Sequence, residues 1–172
     1  MRGTTLRFKG RYGATHEFRA RAISKSGQAG PWSSGRTTVP IDDNPHHRDG
    51  ATYTGPWRRV SFKGAWFGRL SRTSTAGAAM AVVVRGAEVF LVGRVGRLGG
   101  RATVTYATLH KTISFRATHT RNRVVLVHFR RTRVCAARKP RKCRGVRPTD
   151  RATLRVVSLG GGRVNIDAIG FR

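Results

Sequence analysis

The chain carries seven carboxylate side chains, few for an enzyme that would place two of them on either side of a glycosidic bond. They are Glu17, Asp42, Asp43, Asp49, Glu88, Asp150 and Asp167. Asp167 lies in the last predicted strand, where we expect it to accept hydrogen bonds from loop backbone. No Gly-x-Ser-x-Gly elbow, His-Glu-x-x-His zinc motif or phosphate-binding Gly-x-x-x-x-Gly-Lys-Ser/Thr loop occurs. The sequence therefore predicts a protein without catalytic residues and without a cofactor.

Exposed aromatic rings and loop arginines are the residues best suited to bind a sugar, since a ring covers its apolar face and a guanidinium donates to its oxygens. Most rings in residues 53–171 must fill the core of a small domain. Trp66 lies in the glycine-bounded segment 63–68, and Arg94 and Arg97 lie in the glycine-bounded segment 93–100. These three are the candidate ligand-binding residues. A structural role for Trp66 and ordinary solvation for the two arginines are the alternatives.

Basic residues dominate the charge, because 35 Lys and Arg stand against 7 Asp and Glu and give +28 at pH 7. Such a balance favours polyanionic partners such as nucleic acid or acidic polysaccharide. Only residues 130–147 form a dense basic cluster. The candidate polyanion-binding residues are Arg130, Arg131, Arg133, Arg138, Lys139, Arg141, Lys142 and Arg144. A solvated Arg-rich surface with one basic loop is the favoured interpretation, because no aromatic stacking platform is interleaved with these residues.

Two cysteines, Cys135 and Cys143, lie eight positions apart in this cluster. Zinc is usually held by four protein ligands, so the pair alone makes a poor metal site. A disulfide that closes a short loop is favoured over two free thiols, and it would require an oxidising compartment. The polar stretch 42–50 contains aspartates and histidines, but a linker is favoured there over a metal site.

From residue 53 onward, short apolar or alternating segments are separated by glycine, serine and threonine. The candidate strands are residues 57–62, 69–73, 78–84, 88–93, 102–107, 112–116, 124–130, 153–159 and 164–171. No stretch of 18 apolar residues occurs, so no transmembrane helix is predicted. This pattern predicts an all-β protein, an antiparallel β-sandwich of the jelly-roll type.

Several motifs in this region resemble a known family. Tyr53-Thr-Gly-Pro-Trp57 opens it, Ser74-Thr-Ala-Gly-Ala78 precedes a strand, Ala102-Thr-Val-Thr-Tyr106 follows a glycine-rich turn, and Val164-Asn-Ile-Asp-Ala-Ile169 closes it. With these motifs, residues 53–171 resemble the galactose-binding-like (discoidin-like) jelly-roll modules of secreted bacterial proteins. The chain departs from the family after Tyr106, where Ala-Thr-Leu-His stands in place of the frequent Asp-Gly.

The first 42 residues carry a second resemblance. Phe18-Arg-Ala-Arg-Ala22, a glycine-rich loop and Trp32-Ser33 resemble the later strands of a fibronectin type III domain, with His16 where that family usually has its corner tyrosine. We therefore expect residues 1–42 to be the last strands of such a unit, residues 43–52 a linker, and residues 53–172 the jelly roll. Because a complete unit has about 100 residues, we also expect the chain to belong to a longer protein.

Together these patterns predict a non-catalytic extracellular binding or adhesion module, the C-terminal part of a larger secreted protein. Its expected partner is a glycan or cell-surface polysaccharide, and upstream domains of the same polypeptide are expected neighbours. Two alternatives stay open. One is polyanion binding through residues 130–147, and the other is a purely structural spacer.

Overall fold

A computed structural model of the chain describes residues 8, 10, 13–42, 50–136 and 139–172, with backbone alone at residues 136 and 139–142. Every regular element in these ranges is a β-strand. The strands are β1 (Thr15–Ala20), β2 (Ser33–Thr38), β3 (Ile41–Asp42), β4 (Thr52–Thr54), β5 (Arg58–Ser61), β6 (Arg69–Thr73), β7 (Ala79–Arg85), β8 (Glu88–Val95), β9 (Arg101–Tyr106), β10 (Leu109–Ser114), β11 (Arg121–Arg130), β12 (Arg133–Ala136), β13 (Lys139–Gly145), β14 (Arg151–Gly160) and β15 (Val164–Phe171). The predicted all-β class is confirmed, and each predicted strand beyond residue 53 overlaps an observed one.

Two antiparallel sheets form the sandwich. One has the order β10-β9-β14-β7-β4, and the other has the order β11-β8-β15-β6-β5, with β3 also pairing with β15. Their facing side chains make a single core in which Met80, Leu91, Tyr106, Phe115 and Leu154 are fully buried. Burial of one such side chain contributes about 1.5–3 kcal/mol. The alternating pattern seen in the sequence therefore marks the inward face of strands such as β9 and β14, whereas β15 is buried at successive positions.

The last two strands occupy the centres of the two sheets. β14 lies between β9 and β7, and β15 lies between β8 and β6. They are joined by Gly160, Gly161 and Gly162, all with positive φ. An added Cβ at Gly162 would meet the Gly99 backbone at 2.7 Å. Only glycine fits this close approach, so the turn sets how the two sheets are connected.

The N-terminal hairpin is joined to the sandwich through β3. β1 and β2 pair only with each other, whereas Ile41 of β3 is buried and pairs with Ile169 of β15. Asp42 accepts hydrogen bonds from Arg59 at 2.9 Å. Residues 43–49 of the expected linker lie outside the described residues. The expected domain boundaries and the fibronectin type III assignment stay predictions.

The basic cluster forms a hairpin where the sequence predicted a loop. β12 and β13 pair with each other, and Cys135 lies directly opposite Cys143 in their register. The two sulfurs are bonded, so the predicted disulfide is confirmed. The loop prediction was wrong because the disulfide joins the two segments as paired strands, although β13, Lys-Pro-Arg-Lys-Cys-Arg-Gly, contains lysine, proline and glycine, which are depleted in strands.

Gly161 and Gly162 offer a matched test of the turn between the central strands. Their φ angles are +71° and +143°, but an added Cβ at Gly161 would meet nothing within 4 Å. We expect Gly161→Ala to lower the free energy of unfolding by about 1–2 kcal/mol, the cost of a left-handed residue. Gly162→Ala should cost about 1–3 kcal/mol more, because rigid backbone blocks the methyl group. Urea unfolding measures both values, and equal losses would contradict the proposed role of the close contact.

Candidate ligand-binding site

Three neighbouring strands bring polar side chains to the outer face of the six-stranded sheet. Arg72 of β6 pairs with Asn165 of β15, and Arg94 lies on β8, the other neighbour of β15. Tyr53 of the opposite sheet donates a hydrogen bond to Ser71 Oγ at 2.9 Å, so Ser71 faces the interior. Because successive side chains of a strand alternate, Arg72 faces away from the core.

A cavity of about 560 Å³ opens on this face of the sheet. Its volume lies within the range of about 300–1,000 Å³ that is usual for small-ligand sites. Its charged and polar lining consists of Arg72, Arg94, Arg97, Arg163, Asn165, His119, Thr118 and Thr120, and Leu98 is among its apolar residues. We call it the arginine cavity. It contains both arginines that the sequence nominated, Arg94 and Arg97, and two that it did not, Arg72 and Arg163.

Backbone hydrogen bonds hold the wall of the arginine cavity in place. The amide of Gly96 donates to Phe115 O at 3.0 Å, and the amide of Arg163 donates to Leu98 O at 2.7 Å. A Cβ at Gly99 would collide with the carbonyl of Phe115, so the segment packs directly on its neighbour. The wall is therefore preformed, which lowers the entropic cost of binding a ligand.

Two of the lining arginines are also held by their side chains. Arg72 Nε donates to Asn165 Oδ1 at 2.7 Å, and the Arg94 guanidinium lies 4.4 Å from the centre of the Phe62 ring. Burial, and after it the charges of Arg163 and Arg94, lower the pKa of Arg72. It stays protonated at neutral pH, because an arginine starts from a pKa above 12. The cavity thus concentrates positive charge that its own lining does not neutralise.

Arg97 has a different role, since it ties two loops together. Its Nε donates to Thr118 O at 3.1 Å, and its own carbonyl accepts from Arg116 Nε at 3.4 Å. The first contact fixes residues 118–120 as one side of the cavity. Arg97 therefore shapes the site as well as lining it.

Trp66 lies outside the arginine cavity, on the loop between β5 and β6. Its side chain is 46% exposed, and the Arg123 guanidinium lies 5.6 Å from the ring centre. Its amide donates to Asp167 Oδ1 at 2.7 Å, and Arg123 donates to Ala65 O at 3.2 Å. The loop is thus fixed on the outer face, and Phe62 in the same loop supports Arg94. Asp167 has the structural role that the sequence predicted.

The described residues of the basic cluster are partly engaged in internal contacts. Arg131 donates to Gly86 O and Asp150 O and lies over the Tyr106 ring. Arg144 binds both oxygens of Asp150, at 2.6 and 2.7 Å, and this contact lowers the pKa of Asp150. Arg130 lies 3.7 Å from Glu88, and Arg133 lies on β12. Arg138 and the side chains of Lys139, Arg141 and Lys142 lie outside the described residues.

The described ranges contain no group of three or more His, Cys, Asp or Glu side chains that could hold a metal ion. In the same ranges, no helix is long and apolar enough to cross a membrane. A second cavity, of about 310 Å³, lies on the outer face of the five-stranded sheet beside Thr52, Val83, Arg85 and Arg151. None of the sequence-nominated residues lines it.

Arg72 and Arg163 were missed because nothing local in the sequence marks them. Arg72 lies in a predicted strand, and Arg163 follows the glycine-rich turn. Their proximity depends on the pairing of Asn165 with Arg72, a contact between residues that are 93 positions apart. Only the register of β15 against β6 brings them together.

Asp167 offers a test of the support under Trp66. We expect Asp167→Ala to lower the free energy of unfolding by about 1–3 kcal/mol, because the Trp66 amide loses its acceptor. Asp167→Asn keeps an acceptor and should cost less.

Burial raises the pKa of Asp167 above its usual value of 3.8. Wild type should therefore gain stability relative to Asp167→Asn below the unfolded pKa and lose it as pH rises through the folded pKa. Thermal unfolding at several pH values measures this difference, and a constant difference would contradict the assignment.

Comparison with known proteins gives weak structural similarity only. No protein-family model and no curated protein matches the chain. A family two carbohydrate esterase from Cellvibrio japonicus is similar with a TM-score of 0.45 and 9% identity, over 91% of this chain and 32% of that chain. The Agl-KA catalytic domain has a TM-score of 0.44 and 14% identity, over 69% of this chain and 25% of that chain. A glycoside hydrolase family 43 arabinoxylan arabinofuranohydrolase from Bacillus subtilis, in complex with cellotetraose, has a TM-score of 0.36 and 15% identity, over 88% and 32%. The chain thus spans about a third or less of each of these proteins, and similarity at this level identifies neither a family nor an activity.

Proposed function

We propose that this chain is a non-catalytic carbohydrate-binding module of an extracellular protein and that the arginine cavity is its ligand site. The cavity itself carries the proposal. It is concave, preformed and of small-ligand size, and it brings together Arg94 and Arg97. Guanidinium groups on a fixed backbone can donate several hydrogen bonds to the ring of oxygens that a sugar presents.

The lining of the cavity supports binding rather than hydrolysis. Glycosidic bond cleavage needs two carboxyl groups on either side of the bond, and no Asp or Glu belongs to the described lining. The carboxylate of Asp167, which lies on β15, accepts a hydrogen bond from the Trp66 amide. The site can hold and orient a ligand, and its described lining offers no carboxyl group to act as general acid or nucleophile.

The extracellular setting belongs to the same proposal. The Cys135–Cys143 disulfide supports an oxidising compartment, because cytosolic thiols are kept reduced. The motifs between Tyr53 and Ile169 support a galactose-binding-like jelly roll, and those between Phe18 and Trp32 support a fibronectin type III remnant ahead of it. The chain would then act as a targeting module that holds neighbouring domains close to a polysaccharide.

Polyanion binding through residues 130–147 is less well supported. Arg131 and Arg144 point at carbonyl and carboxylate partners within the protein, so they are already compensated. Neither of the two cavities described above is lined by residues 130–147. A polyanion site would need free cations along a groove.

A glycan array followed by calorimetric titration of the best neutral and acidic oligosaccharides tests the proposal. We expect Arg97→Gln to weaken binding about 10-fold or more, because a charged hydrogen-bond donor is lost from the lining. Trp66→Ala should weaken only ligands long enough to extend beyond the cavity, because the ring lies outside it.

Two controls make this test specific. Arg155→Gln removes an exposed charge from β14 in the opposite sheet and should leave affinity within about twofold. The double variant Arg130→Gln/Arg133→Gln should do the same, because both residues lie away from the arginine cavity. The proposal would be falsified if no glycan bound, and loss of binding in the double variant alone would favour the basic hairpin instead.

A further inference from the structure

We propose that the arginine cavity recognises the anionic group of an acidic sugar, a carboxylate or a sulfate, through the guanidinium groups of Arg72, Arg94 and Arg163. This inference rests on the proposed glycan-binding function and names the class of glycan. It differs from the polyanion alternative in the location of the site and in the type of ligand bound. The site is a cavity on the outer face of the six-stranded sheet and not the basic hairpin, and it takes one anionic group and not a continuous charged backbone.

The three arginines line one cavity together, and none of them has a carboxylate partner there. Arg59 binds Asp42 at 2.9 Å, and Arg172 approaches Glu88 at 2.8 Å. Arg72, Arg94 and Arg163, by contrast, make no ion pair in the described part of the chain. Like charges gathered at a partly buried edge repel one another, and an anion placed between them would remove that repulsion.

The side chains of Arg72 and Arg94 are held in place with donors to spare, and Arg163 is fixed at its backbone. Arg72 uses only Nε to bind Asn165, and within the described residues its two Nη groups make no hydrogen bond. Arg94 is held by stacking on Phe62, which leaves all of its N–H groups available. The backbone of Arg163 is fixed on both sides, by Leu98 O and by the Gly100 amide. A guanidinium fork held in this way matches a carboxylate or sulfate with two parallel hydrogen bonds.

The remaining lining favours a sugar over a nucleic acid. Leu98 is 63% exposed beside the cavity and offers an apolar surface to a sugar ring. No Phe, Tyr or Trp belongs to the described lining, whereas single-stranded nucleic acid is usually held by stacked aromatic rings along a basic groove. A concave volume of about 560 Å³ also suits one or a few sugar units better than an extended polymer backbone.

The test compares matched ligands by calorimetric titration. The probes are an oligogalacturonate trimer, its fully methyl-esterified form, a sulfated oligosaccharide and a single-stranded oligonucleotide. We expect the free trimer or the sulfated probe to bind at least about tenfold more tightly than the neutral ester, since charge-assisted hydrogen bonds are lost on esterification. The better of the two anionic probes identifies which group the site prefers.

Arg163→Gln and Arg94→Gln should each remove most of this preference, a loss of about tenfold or more for the anionic probe and less than about twofold for the ester. Arg155→Gln is the charge-matched control and should preserve the preference. Arg163 is exposed, so its variant should fold like the wild type, and circular dichroism checks this.

The outcomes separate this inference from the proposed function. Equal affinity for the trimer and its ester, unaffected by Arg163→Gln, overturns the anion site and leaves glycan binding standing. Absence of binding to every sugar probe overturns both. Tighter binding of the oligonucleotide that is lost in Arg163→Gln would assign the cavity to nucleic acid and overturn the acidic-sugar assignment.

Discussion

The placement of two consecutive strands at the centres of two sheets is the constraint on which the rest of the structure depends. β14 and β15 follow one another through Gly160, Gly161 and Gly162, yet each is hydrogen-bonded on both sides in a different sheet. The turn between them must cross from one layer to the other in three residues, and it does so against the Gly99 backbone. The same short crossing puts Arg163 at the mouth of the arginine cavity. Fold and candidate site therefore share one turn.

Arginine serves several structural purposes in this protein that an uncharged residue could not. Arg131 donates a hydrogen bond to a partly buried backbone carbonyl and lies over the Tyr106 ring. Arg123 donates a hydrogen bond to the loop that carries Trp66. Arg144 and Arg172 neutralise carboxylates near the ends of strands. The planar guanidinium makes several hydrogen bonds while its face packs on a ring. The large positive charge thus arises partly from the arginines that hold loops in place. The arginines of the cavity are distinguished by their grouping in one lining that contains no Asp or Glu among the described residues.

The sequence predicted the strands themselves, but it did not predict which strands pair or which side chains that pairing brings together. Period-two alternation and glycine-rich joints were enough to predict nine strands and the all-β class, and the spacing of the two cysteines predicted the disulfide, because these features depend on local residues. Trp66 as an exposed ring and Asp167 as a backbone acceptor were also predictable, from flanking glycines and from position in a strand. The grouping of Arg72 with Arg94 and Arg163 was not, since it follows from the register of β15 against β6 and β8. The basic hairpin was mistaken for a loop because its pairing is held by a covalent bond rather than by propensity.

The surplus of arginine has a consequence for rates as well as for affinities. A guanidinium does not deprotonate in proteins, so the part of the +28 charge that arginine supplies persists well into alkaline conditions. At an ionic strength of about 0.1 M the field of such a surface extends roughly 10 Å into solvent. Anionic surfaces would be drawn in from any direction, and encounter would be fast at low ionic strength and slower at high. The dispersed arginines would then set the rate at which a charged partner associates with the protein, and the few in the cavity would set the rate at which that partner dissociates.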